Sequence, residues 1–299
     1  MTDTTPPLKP PSTLLMGGVG TGKTYSLTTY MEAGLKLVAL ILEPGGEEAI
    51  LNGIQDKGLD INNFYYRYIP FGSTSWEMFK DLSWKVQKFD YESLAKLKSG
   101  IGKAEFSQMN NLFEVLSDFT CQRSGTHLGP LDLLDDTYAV SLDSITGLNQ
   151  MCIDLAVGAK PSPHPGEWGT AMGIEERLLN KLNSDLNCFF CGIAHLDRQF
   201  VEVEGKNMYV PGMLGSKLAP RVPRMFRDVI VTKRDAGNFL WASEYPGADT
   251  KATNLPWSDK LPPSFVPLVE RYHARKALIA TSNTSTTPTT DGGSIVDEG

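Results

Sequence analysis

One segment constrains the fold more than any other: Gly17-Gly18-Val19-Gly20-Thr21-Gly22-Lys23-Thr24, which follows the apolar run Ser12 to Met16. Glycine at that density weakens helix and strand alike, so the segment is a loop in which backbone N–H groups are free to turn inward. Helical residues resume at Lys23, so the loop opens onto a helix N-terminus, where unpaired amides and the helix dipole both favour an anion. The spacing Gly-x4-Gly-Lys-Thr completes a Walker A pattern. Lys23 is placed to reach the β and γ phosphates of a nucleotide, and the Thr24 hydroxyl to ligate magnesium. ATP and Mg2+ are therefore the expected cofactors, held by Gly17, Gly18, Val19, Gly20, Thr21, Gly22, Lys23 and Thr24.

Such a loop needs a strand before it and a helix after it, and the rest of the sequence supplies an α/β alternation. Strands of a mostly parallel sheet are expected at Ser12 to Met16, Leu35 to Glu43, Phe64 to Pro70, Thr137 to Asp143 and Cys188 to Ala194, and Leu35 to Glu43, rich in Leu, Val and Ile, reads as covered on both faces. The spacing predicts helices from Lys23 to about Glu32, near 75–97 and 104–119, from about Leu148, and from about Trp168 to Leu186. A Pro-rich loop is expected at Gly158 to Pro165. Beyond the fifth strand the pattern changes to two antiparallel hairpins, Phe200 to Val203 with Met208 to Val210 and Val229 to Lys233 with Phe239 to Ala242. One domain at 12–276 is expected, with a helical insertion at about 72–130 and disordered tails at 1–11 and 277–299, where Thr, Ser, Pro and Gly dominate.

The chain has 299 residues, a formal net charge of −7 and four cysteines. No apolar stretch approaches the ~20 residues needed to span a bilayer, and the opening residues carry no secretion signal. A cytoplasmic setting without a membrane partner is expected. Cys188 and Cys191 form a lone CxxC inside a buried strand, where alternation sends the thiols to opposite faces, so they are read as structural. The acidic balance requires any nucleic-acid contact to be local.

Magnesium bound to a phosphate loop calls for a carboxylate at a neighbouring strand end, and Asp143, closing Tyr138-Ala139-Val140-Ser141-Leu142, is the candidate; capping of the following helix is its alternative role. Hydrolysis also needs a group that orients water at the γ phosphate. Ser144 follows Asp143, so that group must come from another strand. Glu43 ends the second strand at the same rim as the loop, because parallel strands expose their C-terminal ends along one edge. His195 ends the fifth strand at this rim and is the candidate γ-phosphate sensor.

In this order, Walker A, Glu43, Asp143-Ser144 and His195, the chain resembles the RecA-like ATPases, and more closely the phage-encoded ATP-binding proteins of recombinase type. The resemblance covers about residues 12–245. It implies a RecA-like P-loop fold, ATP hydrolysis with Glu43 as catalytic base, a role in DNA recombination or replication, and a homo-oligomer. It further implies single-stranded DNA contacts from two segments, about 158–168 with Lys160, His164 and Trp168, and about 196–210 with Arg198, Phe200, Lys206 and Tyr209. Lys233, Arg234 and Lys251 are candidates for a basic residue reaching into a neighbouring subunit's site. Two other readings stand beside it: a nucleotide-dependent switch or assembly protein that touches no nucleic acid, and a helicase or packaging motor.

Overall fold

The computed structural model describes residues 8–69, 108–158, 163–202 and 205–284, with isolated positions between 76 and 87. The fold is α/β. An eight-stranded sheet forms from β1 (Ser12–Gly17), β2 (Lys36–Ile41), β3 (Phe64–Tyr68), β6 (Tyr138–Asp143), β7 (Phe189–Val201), β8 (Lys206–Pro211), β9 (Asp228–Asp235) and β10 (Asn238–Ala242). The two-residue and three-residue strands β4 (Phe119–Thr120) and β5 (His127–Gly129) pair separately. Strand order in the main sheet is β10-β9-β1-β7-β6-β2-β3, with β8 added to β7. Every pairing from β9 to β3 is parallel, and only β9 with β10 and β7 with β8 run antiparallel.

Alternation along each strand divides the core into two layers. Leu14, Met16, Val38, Leu40, Val140 and Leu142 face α4 (Gln108–Ser117), α5 (Ile145–Val157), α6 (Pro165–Asp185) and the short α7 (Val222–Met225). Leu15, Leu37, Ala39, Ile41 and Ala139 face α2 (Thr29–Glu32), α3 (Gly46–Lys57) and α8 (Val266–Thr284). Cys188 packs in the first layer and Cys191 in the second, both buried and free, as the period of two requires. Burial pushes the Cys188 thiol up to about 12 and the Cys191 thiol well above its usual range, so neither is a nucleophile at neutral pH.

Several elements differ from the sequence pattern. The expected helix from Lys23 to Glu32 is two short ones, α1 (Lys23–Ser26) and α2. Ser26, Thr28 and Thr29 return their hydroxyls to the carbonyls of Lys23, Tyr25 and Ser26 at 2.6–2.8 Å, a competition that tightens and interrupts the turn. The Pro-rich loop before α6 ends at Pro163 rather than Pro165, because His164 caps that helix: its Nδ1 accepts from Gly166 N at 3.2 Å while Glu167 accepts from His164 N at 2.6 Å. Similarly, α5 starts at Ile145, three residues earlier than expected, with Ser144 as its cap. Residues 277–284 are no tail but the end of α8, since Ala277, Leu278 and Ala280 are good helix formers and the Thr-rich stretch begins only at Thr281. The expected helix at 75–97 lies mostly outside the described residues, as does Lys160. No helix among the described residues is long and apolar enough to cross a membrane.

Glu175, on α6, is fully buried, and apart from the poorly aligned Leu214 amide neither carboxyl oxygen has a hydrogen-bond partner among the described residues. Burial pushes this group up to about 8, with the Leu214 amide offsetting only part of the effect. A folded-state value above the unfolded one means that the native state holds a proton that the unfolded chain releases above about pH 4.5. Stability should therefore fall as pH rises from about 4.5 to about 8 and then level off, by on the order of 5 kcal/mol over the whole window. Urea titrations of wild type and Glu175→Gln check this. The variant should lack that slope, and an equal slope in both would place its origin elsewhere.

Candidate functional site

The site lies at the edge of the sheet where β1, β2 and β6 end and β7 passes through His195. Parallel register puts Gly17 beside His195 and Ile41 beside Asp143, and Glu43 follows two residues beyond the end of β2. Open α/β sheets hold ligands outside the carboxyl ends of their strands, and this edge carries the glycine-rich loop.

The loop is braced from β9. Thr21 Oγ1 donates to the Gly18 carbonyl at 2.8 Å and lies 2.7 Å from Thr232 Oγ1. A Cβ on Gly17 would stand 1.9 Å from that Thr232 oxygen, so only glycine permits the approach. Gly22 has φ 82°, a left-handed conformation that sets the entry of α1 and that a side chain would strain. Val19 and Gly20, at the tip, are exposed. Lys23 is buried and folds back so that Nζ donates to the Gly17 and Gly18 carbonyls, each at 2.8 Å. Burial lowers its pKa, while the carboxylates of Asp143 and Glu43 act in the opposite direction.

Thr24 Oγ1 donates to Asp143 Oδ2 at 2.6 Å. Asp143 is 3% exposed, and burial, reinforced by Glu43, pushes its carboxyl up to about 6 despite the Thr24 hydrogen bond and the charges of Lys23 and His195. Its alternative role as a helix cap belongs to Ser144, whose Oγ accepts from Gly147 N at 3.1 Å. The Asp143–Ser144 peptide is cis. Among the described residues no group of three or more His, Cys, Asp or Glu could cage a metal ion. Magnesium requires no such cage, because it keeps several waters and takes one or two protein oxygens together with phosphate. The adjoining hydroxyl and carboxylate of Thr24 and Asp143 fit that donor set.

Glu43 stands across from this pair. Ser144 donates its hydroxyl to Glu43 Oε1, and His195 Nε2 lies 3.2 Å from the same carboxylate, a hydrogen bond when that nitrogen bears the proton. Thr146 Oγ1 accepts from the His195 backbone N at 3.0 Å and so fixes the strand end that carries the imidazole. The structure thus gathers Lys23, Thr24, Glu43, Asp143 and His195 at one rim. Ser144, Thr146 and Thr232 are further site residues that sequence reasoning did not assign. Ser144 had a signal in its adjacency to Asp143, whereas Thr232 approaches the loop only through sheet pairing.

The segments expected to contact DNA are rearranged. His164 is a helix cap and Trp168 stands, exposed, in the first turn of α6. The stretch 196–210 is no loop, because β7 runs on past His195 to Val201 and pairs with β8 from Leu196↔Pro211 to Val201↔Lys206. Arg198 and Phe200 are exposed on this hairpin, but Tyr209 packs edge-on against Tyr245 at 5.6 Å, and its backbone N donates to Gly247 O at 2.6 Å. Of the three cations considered as reaching a neighbour, Lys251 donates to Phe226 O at 3.0 Å, Lys233 pairs with Asp259 at 3.6 Å, and Arg234 lies over the Phe239 ring. An apolar cleft of about 820 Å3, floored by Leu116, Leu178 and Leu182 between α4 and α6, includes none of the rim residues. In comparisons with known proteins, no family model and no curated sequence matches this chain.

Proposed function

We propose that this chain is a RecA-like P-loop ATPase that binds Mg-ATP at the sheet edge and acts on single-stranded DNA, in the phage recombination or replication setting that the resemblance implies. The observation that supports this reading best is the convergence of Lys23, the Thr24–Asp143 pair and the Glu43–Ser144–His195 network on one strand-end rim. Lys23 exchanges the Gly17 and Gly18 carbonyls for phosphate oxygens. Thr24 and Asp143 would hold magnesium, which would supply charge neutralisation of the phosphates. Glu43, aimed by Ser144 and His195, accepts the proton of the attacking water. His195 then couples the state of the γ phosphate to β7, since it shares a strand with the projecting hairpin. The Gly212 N to His195 O hydrogen bond, 2.8 Å long, ties the returning strand to the sensor at the base of that hairpin.

The hairpin carries the means of contacting a nucleic acid. A groove of about 380 Å3 beside it is lined by Gln199, Phe200, Glu202, Lys217, Arg221, Arg224 and Asp249, three cations against two carboxylates. One exposed ring among cations suits a single strand, whose phosphates meet charge and whose bases stack. ATP turnover measured alone, with single-stranded DNA and with duplex tests the whole reading, and stimulation by the single strand is expected. Absence of turnover under all three conditions would refute it.

The net charge of −7 favours a second reading, an ATP-dependent switch or assembly protein without nucleic acid. A titration of labelled single-stranded DNA at several salt concentrations separates the two. Log affinity should fall with log salt at about −0.7 per phosphate contacted. Alanine at Arg198 and Arg224 should flatten that slope, whereas Phe200→Ala should weaken binding without changing it. No binding at low salt, with or without a non-hydrolysable ATP analogue, would leave the switch reading.

A further inference from the structure

The reactive groups all lie on one flank of the phosphate-loop strand. From β1 the sheet continues on that side through β7, β6 and β2, bringing His195, Asp143 and Glu43. A triphosphate held with its γ end toward Glu43 must send its nucleoside end to the other flank, where β9 and β10 stand. Register places Phe239, at the start of β10, opposite Arg234, at the end of β9, on the same rim as the loop. The Phe239 ring reaches the loop itself: a Cβ on Gly22 would meet its Cδ1 at 3.1 Å. The ring is 44% exposed, and the Arg234 guanidinium lies over it at 5.4 Å. Its contacts with Gly22 and Arg234 leave nearly half of Phe239 open to water beside the glycine-rich loop. A flat aromatic partner would cover that exposed area, and the adjoining cation would strengthen the stack.

We infer that Phe239, backed by Arg234, is the platform for the base of a bound nucleoside triphosphate; the inference rests on the nucleotide reading above. Every base presents a π face, so a stacking platform registers that a base is present rather than which one it is. The site therefore takes ATP and GTP alike.

The test is equilibrium binding of Mg-ATP, Mg-GTP and base-free magnesium tripolyphosphate to the full chain, comparing wild type, Phe239→Ala and Phe239→Trp. Phe239→Ala should weaken both nucleotides by roughly 5- to 100-fold, the scale of one base–aromatic stack, and leave tripolyphosphate binding unchanged. Phe239→Trp should restore affinity, with its indole fluorescence quenched by nucleotide. In turnover, Phe239→Ala should raise KM with little change in kcat. Equal losses for tripolyphosphate and nucleotides would mean that the ring only shapes the loop, and would overturn the inference. So would wild-type nucleotide affinity in Phe239→Ala, or a loss confined to ATP. If wild type bound neither nucleotide nor tripolyphosphate, the phosphate-site reading itself would fall, a result distinct from loss of the platform alone.

Discussion

Replacing Lys23 by alanine is expected to lower Mg-ATP affinity by about 10²- to 10³-fold and to remove measurable turnover, the scale seen when one member of a desolvated charge pair is truncated. Lys23 is 7% exposed, and its ammonium is within 2.8 Å of two loop carbonyls. That geometry holds the ammonium against the backbone of the glycine-rich loop. The buried carboxylate of Asp143 and the partly exposed one of Glu43 stand nearby and would repel a polyphosphate if the lysine were absent. Isothermal titration with Mg-ATP measures the loss. Lys23→Met, which keeps most of the aliphatic stem, should lose affinity to the same extent while melting within a few degrees of wild type. Near wild-type affinity in either variant would refute the phosphate-site assignment.

The fold was legible in the sequence wherever burial alone determines structure. β1, β2, β6 and the first half of β7 are dominated by apolar residues, with few polar interruptions such as Thr13 and Ser141, because both of their faces are covered, and that pattern has few competing explanations. Where side chains compete locally with the backbone, periodicity misled. Ser26, Thr28 and Thr29 interrupt a segment with a helical pattern, and His164 begins a helix within a stretch that reads as a Pro-rich loop. The extension of β7 past His195 was hidden for another reason. Leu196-Asp197-Arg198-Gln199 is polar because it leaves the core and pairs only with β8, and a solvated hairpin has no burial to write into its sequence.

Legibility of the site followed the same division. The loop residues are adjacent in sequence and impose one geometry, so the motif places them without help from the fold. Asp143, Glu43 and His195 were inferred from strand ends, which works because parallel strands deliver their C-termini to a common edge. Thr232 and Phe239 were not recognised as site residues. Each reaches the loop through the pairing of β9 with β1 and β10 with β9, more than 200 residues away along the chain, and neither has a local signature. Tyr209 was misplaced for the converse reason: an aromatic in a polar stretch looks available for stacking until the fold supplies Tyr245 as its partner.

Glu43→Gln should leave Mg-ATP binding near wild type and lower turnover by roughly 10²-fold or more, the usual scale for loss of a general base. The substitution keeps size and planarity, and the amide oxygen can still accept from Ser144, so the rim should retain its shape. What disappears is the basicity needed to take a proton from water. The network also gives the variant a signature beyond lost activity. Removing one of two neighbouring carboxylates relieves a repulsion felt by Asp143, whose carboxyl is pushed up in part by Glu43. Losing one nearby negative charge should weaken apparent magnesium affinity in the presence of ATP by a modest factor, and turnover should stay low even at saturating metal. Single-turnover measurement under saturating Mg-ATP separates the chemical step from binding and product release. A single-turnover rate equal to wild type would remove Glu43 as the base. A matched loss of binding and rate would assign it a structural role at the end of β2, and the switch reading would then account better for the site.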